Sequence, residues 1–217
     1  MAMRKLRFLF QGDSVTDANR DKNSDDLGEG YPYYFHQAYE ELSSERDDLP
    51  ELEFTNRAVN GDRSIEILER LEQDIVQLKP DFLALQIGVN DAWRLLNPMV
   101  GATPDPVYKQ SVETVLRTVR EKLPKTKIIL IEPFLLVQED EFVPVRRNLY
   151  QKINILRDLR RDYADFYWPL DGLMHQWSLD YDDPGALALD GIHPTEEGHR
   201  LIAQKMVETL VGAGFFL

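Results

Sequence analysis

Ser14, preceded by Gly12-Asp13, is the first residue in the chain whose type and setting point to chemistry. A hydroxyl needs a base to become a nucleophile, and an imidazole base needs an acid to hold its tautomer and stabilise the imidazolium. Asp190-Gly191-Ile192-His193-Pro194 supplies both groups, and a separation of three residues lets the two side chains meet in one short loop. Ser14 then reads as the nucleophile, His193 as the base and Asp190 as its orienter. Acyl transfer also requires donors for the oxyanion. Candidates are the backbone N–H groups of Ser14 and Gly61 and the side-chain amide of Asn90. Glycine at 61 allows the backbone to come close to a substrate. Each segment alone has a plainer interpretation: Gly-Asp-Ser as a strand-to-helix turn, Asn90-Asp91 as a helix cap, Asp190 and His193 as a surface turn.

The elements that must position these residues are visible as short apolar runs separated by longer amphipathic stretches. Residues 6–10, 82–87 and 128–131 are nearly continuous apolar runs, as expected of strands buried on both faces. Residues 52–55 and 166–168 are weaker strand candidates. Helical spacing appears in four stripes: Ile65, Leu68, Leu71 and Ile75; Val112, Val115, Leu116 and Val119; Ile153, Leu156 and Leu159; Ile202, Met206 and Leu210. Pro80, Pro124 and Pro169 punctuate the ends. The alternation predicts a parallel sheet with helices on both faces, which binds ligands at the carboxyl ends of its strands. Three of the four candidate segments follow strand candidates and so fall at that end.

Taken together, the segments resemble the conserved blocks of the SGNH hydrolases, also called the GDSL esterase/lipase family. Gly12-Asp13-Ser14 resembles the nucleophile block, Gly61 the glycine block, Gly88-x-Asn90-Asp91 the asparagine block and Asp190-x-x-His193-Pro194 the acid–base block. The resemblance implies a flavodoxin-like three-layer α/β/α sandwich around a central, mainly five-stranded parallel sheet, and a serine esterase that needs no metal or cofactor. An α/β-hydrolase would require Gly-x-Ser-x-Gly, which no serine here has. Asn19 departs from the glycine that many relatives carry, but asparagine also tolerates left-handed backbone angles. Shorter stretches, including Gly88-Val-Asn-Asp-Ala-Trp-Arg94 and Ala186-Leu-Ala-Leu-Asp190, are similar to the intracellular acetylxylan-esterase branch. That similarity implies a small-acyl pocket and an acetylated sugar as the partner molecule.

Other residues are weighed against plainer roles. Asp13 is read as a group bonding nearby backbone, as is Asp91, and Asp13 is also kept with Trp93 and Arg94 among residues that could meet substrate. Tyr31 to Phe35, Phe134, Trp177 and Tyr181 could line a pocket mouth, with core packing expected for most. His36 is expected to pack or cap, and His175 to lie at the surface. His199 rivals His193 as base but lacks an aspartate three residues before it.

Composition narrows the function further. The 217 residues fit one domain, 1–217, and 25 basic against 38 acidic side chains give a net charge of −13, which disfavours nucleic acid. The absence of cysteine excludes a thiolate nucleophile and Cys-ligated metals. No apolar run approaches the roughly 18 residues of a spanning helix, so a cytoplasmic protein with no membrane partner is expected. The acidic Asp and Glu show no metal-ligand spacing. The expected activity is O-deacetylation of xylo-oligosaccharides or related sugars through an acetyl-enzyme. A lysophospholipase or acyl-thioesterase is the alternative, and a non-catalytic carbohydrate-binding relative a more distant one. The apolar end, Gly212-Ala-Gly-Phe-Phe-Leu217, should dock on its own core or help form a homo-oligomer.

Overall fold

The apolar runs become the strands of a single parallel sheet in the computed structural model, which describes residues 5–24, 26–97, 99–136, 139–183 and 185–217. In chain order these are β1 (Leu6–Gly12), β2 (Leu52–Asn56), β3 (Phe82–Gln86), β4 (Lys127–Ile131) and β5 (Phe166–Trp168). Their spatial order is β2-β1-β3-β4-β5, with Phe8 paired to Phe54 on one side and Phe82 on the other. The helices are α1 (Ser14–Asp17), α2 (Tyr31–Ser44), α3 (Ser64–Leu71), α4 (Val89–Trp93), α5 (Asp105–Lys122), α6 (Val143–Tyr163), α7 (Leu170–Ser178) and α8 (Glu196–Gly212). The expected three-layer α/β/α sandwich is therefore the observed one.

Alternation along the strands divides the core between the two faces. Phe8, Phe10, Phe82, Ala84, Ile129 and Ile131 face one cluster, closed by α2, α7 and α8. Leu9, Leu83, Leu85, Ile128 and Leu130 face the other, closed by α3 and α5. Helix α6 serves both, with Val145, Leu149 and Ile153 in the first cluster and Leu156 and Leu159 in the second. Both faces are covered, which is why the strands read as continuous apolar runs rather than alternating ones.

The stripes expected on α5, α6 and α8 are buried as a whole, whereas the one on α3 is shifted. Ile67, Leu71 and Ile75 are buried there, while Ile65 and Leu68 are only partly covered. Beyond Leu71 the helix loosens into a π turn over Glu72–Val76. The apolar C-terminal end docks on its own core. Phe216 packs 5.2 Å from Phe82 and 5.1 Å from Tyr39 between ring centroids, so this segment gives no argument for a partner chain. Among the described residues no helix is long and apolar enough to cross a membrane.

Strand order creates the crevice that positions the site. The chain leaves β1 toward β2 on one side, and leaves β3 toward β4 on the other. The loops after β1 and β3 therefore part at their carboxyl ends, where open α/β sheets bind ligands. Ser14 follows β1 and Asn90 follows β3.

Candidate active site

Ser14 is the first residue of α1, reached through a turn that tolerates little bulk. A Cβ at Gly12 would sit 2.5 Å from both the Gln86 carbonyl oxygen and Thr16 Oγ1, so only glycine fits between β1 and β3. Asp13 caps the helix, its Oδ1 accepting from the Val15 amide at 3.1 Å. The cap is completely enclosed, and its Oδ2 has no hydrogen-bond partner among the described residues. Burial pushes the Asp13 carboxyl up to about 7; the Val15 amide opposes this, and nearby Asp91 and Asp62 add to it. An enclosed side chain cannot touch a substrate. Asp13 therefore keeps the backbone-bonding role and leaves the set of substrate-meeting residues.

The loop before α8 brings the other two groups to Ser14. Ser14 Oγ lies 2.9 Å from His193 Nε2, and His193 Nδ1 lies 2.6 Å from Asp190 Oδ2. Asp190 Oδ1 accepts from the amides of Ile192 at 2.9 Å and His193 at 2.7 Å. Partial burial works against the charged carboxylate. The hydrogen bonds from the His193 side chain and from the two amides outweigh it and hold Asp190 below the usual carboxylate range. Gly191 makes the loop possible: its φ is 79°, and a Cβ there would fall on the Leu136 carbonyl. Thr195 then caps α8 by accepting from the Gly198 amide, and it donates to Ala186 O at 2.7 Å.

Polar contacts stitch the loop after β2 to the end of β1 and α1 on one side and to the loop after β3 on the other. Asn60 N donates to Asp17 Oδ2 at 2.7 Å, and Val59 N to Gly12 O at 3.2 Å. Gly61 turns at φ 83°. Asn90 Nδ2 donates to Asp62 O at 3.0 Å, and Arg94 donates to Gly61 O at 3.3 Å. Asp91 bonds across the crevice, accepting from Ser64 Oγ at 2.7 Å and Ser64 N at 3.0 Å. The serine, histidine and aspartate thus form one hydrogen-bonded chain, and the Gly61 and Asn90 loops are fixed to each other through Asp62 and Arg94.

Trp93 packs on Phe142, with ring centroids 4.9 Å apart. Neither Trp93 nor Arg94 lines the cavity at Ser14, which has a volume of about 600 Å³. Its walls are Ser14, Ala18, Asn19, Glu29, Tyr34, Asn60, His193, Pro194, Glu196 and His199. Of the expected aromatics only Tyr34 is among them; Tyr31, Phe35 and Phe134 are core, and Trp177 and Tyr181 pack on it. His36 lies against Phe54, and His175 Nδ1 bonds Asp171 O at 2.8 Å along its own helix. Glu29 and His199 were not expected as walls. Nothing local marks Glu29, whereas His199 could have been suspected from its place one turn into α8, just after the His193 loop. Ala18 and Asn19 both adopt positive φ, 41° and 63°, so the tolerance expected of Asn19 is used.

Among known proteins, the GDSL-like lipase/acylhydrolase family profile matches residues 10–201. The acetylxylan esterase of Geobacillus stearothermophilus is 28% identical over 215 residues, 94% of this chain and 93% of that one. Its solved structure superposes with a TM-score of 0.83 at 25% identity, covering 94% of this chain and 93% of that chain. A Parabacteroides merdae protein described as a GDSL-like lipase superposes with a TM-score of 0.83 at 27% identity, covering 96% of each chain.

Proposed function

The chain belongs to the GDSL-like lipase/acylhydrolase family and is a carboxylic ester hydrolase, and within that activity we propose that it removes acetyl groups from sugar hydroxyls. The observation that carries this reading is the Ser14–His193–Asp190 chain opening on a cavity walled largely by polar side chains. Such walls suit a polyhydroxylated alcohol. The similarity to an acetylxylan esterase supports the same substrate class.

In the proposed reaction His193 Nε2 takes the Ser14 proton as Oγ attacks the acetyl carbonyl. Asp190 holds the proton on Nδ1 and stabilises the imidazolium. The oxyanion is met by the amides of Ser14 and Gly61 and by Asn90, which spends one side-chain N–H on Asp62 O and has a second to offer. His193 then returns its proton to the departing sugar oxygen, leaving an acetyl-serine. Water, deprotonated by the same imidazole, releases acetate and restores the serine.

The test is an acyl-length series on wild type and Ser14→Ala. Acetyl esters should be hydrolysed faster than octanoyl esters, and Ser14→Ala should abolish both activities while the fold survives. A preference for octanoyl would replace the deacetylase with a lysophospholipase or thioesterase. Near-wild-type activity of Ser14→Ala would remove the serine mechanism.

A further inference from the structure

The cavity holds the nucleophile and the base but is lined by neither Gly61 nor Asn90. Beyond Ser14 and Asn60 its walls come from the His193 loop, the start of α8 and the stretch from Ala18 to Tyr34, so it extends on the base side of the serine and away from Asn90. The oxygen that receives a proton from His193 Nε2 belongs to the alcohol half of the ester, so that half must lie on this side. The residue that closes the cavity there is His199, on the first turns of α8, which is 9% exposed.

His199 has a defined protonation pattern. The Tyr31 backbone N–H donates to its Nδ1 at 3.1 Å, and a backbone amide can only donate. Nδ1 is therefore unprotonated, and the neutral ring carries its hydrogen on Nε2. Burial, with the His193 charge as a second cause, pushes the pKa of His199 down to about 4, so the ring stays neutral near pH 7. Its orientation is also held: a Cβ at Gly30 would lie 3.1 Å from His199 Cε1, so the imidazole packs directly on that glycine. Nδ1 is engaged inward, so the donor left for the cavity is Nε2–H.

We propose that His199 is a substrate-binding residue for the alcohol half of the ester, its Nε2–H donating to an oxygen of a polyol beside the scissile bond. The proposal deepens the deacetylase reading and rests on it for the identity of that polyol as a sugar. The neighbouring walls fit the same ligand. Glu29, held by Asn19 Nδ2 at 3.1 Å, offers an acceptor to a hydroxyl. The Tyr34 ring, with the Arg200 guanidinium 4.3 Å from its centroid, offers a fixed aromatic surface for C–H faces. A neutral donor beside a carboxylate acceptor matches adjacent hydroxyls, each of which both donates and accepts. Glu29 and Glu196 together disfavour an anionic alcohol such as a phosphodiester.

The experiment compares kcat/KM on three acetate esters: an acetylated xylo-oligosaccharide, monoacetylglycerol and p-nitrophenyl acetate, whose alcohol carries no hydroxyl to bind. His199→Asn keeps an acceptor for the Tyr31 amide and removes the outward donor; His199→Gln returns a donor near the position of Nε2. The ratio of polyol-ester to p-nitrophenyl-ester kcat/KM should fall about tenfold in His199→Asn, the worth of one hydrogen bond, and recover in part in His199→Gln. An unchanged ratio, whether both rates hold or both fall together, overturns the proposal and leaves His199 a packing residue. If wild type is inert on the sugar but the monoacetylglycerol ratio falls as expected, the deacetylase reading fails and the part assigned to His199 stands.

Discussion

Asp190 is as much a tautomer device as a charge. Its two oxygens divide the work, Oδ1 to the amides of Ile192 and His193 and Oδ2 to His193 Nδ1. In Asp190→Asn the amide oxygen would keep the backbone contacts, turning Nδ2 toward His193. That donor would force the imidazole proton onto Nε2, where it can no longer accept from Ser14. The expected result is a loss in kcat of about 10³- to 10⁴-fold with a preserved fold, read from steady-state rates beside circular dichroism. Asp13 makes a different prediction, concerning stability. Its folded pKa of about 7 stands above the ordinary 3.8, so between those values the unfolded chain loses a proton that the folded chain keeps. Rising pH therefore favours unfolding, with a cost on the order of 4 kcal/mol that is complete above pH 7. Asp13→Asn imitates the protonated acid and removes this slope. In urea unfolding the variant should gain on wild type from pH 4.5 to pH 8, and a constant difference would contradict the assignment.

Among the elements, the loop from Asp190 to Thr195 determines whether three sequence-distant groups meet. It docks on the segment after β4 through the Leu136 amide, which donates to Gly191 O at 2.9 Å. Gly191→Ala would combine a positive φ, costing about 1–3 kcal/mol, with a collision against the Leu136 carbonyl. The loop should shift and carry His193 away from Ser14. Activity is expected to fall more than a hundredfold, with a lowered Tm; a variant of full activity would show that the loop does not need this backbone angle. This loop also marks where the sequence was legible. The types at 14, 190 and 193 are dictated by acyl-transfer chemistry, and the strands by burial on both faces, so both could be read directly. The cavity walls obey neither rule. Tyr34 lines the cavity with Ser14 because α2 packs on α8, and Glu29 because its amide donates to Ala18 O at 2.8 Å; a local pattern carries no trace of either contact.

Across the whole molecule, stability and chemistry occupy opposite ends of the sheet. Ser14 and Asn90 lie past the carboxyl ends of β1 and β3, whereas Phe216 closes the other end, packing on Phe82 at the start of β3 and on Tyr39 of α2. Lys127, the first residue of β4, holds the same tail by donating from Nζ to Phe215 O at 2.6 Å. Phe216→Ala would leave a hole between the sheet and α2, at an expected cost of about 3–5 kcal/mol. That is a large part of the 5–15 kcal/mol typical of a domain, so Tm should drop by several degrees. None of the residues Phe216 stacks on touches the cavity, so p-nitrophenyl acetate hydrolysis well below Tm should stay within about twofold of wild type. The sedimentation mass should also match wild type, because the ring is spent on its own core. A changed mass would instead place the tail in a contact between subunits, and a lost rate would show that packing at the amino ends of the strands is transmitted to the serine.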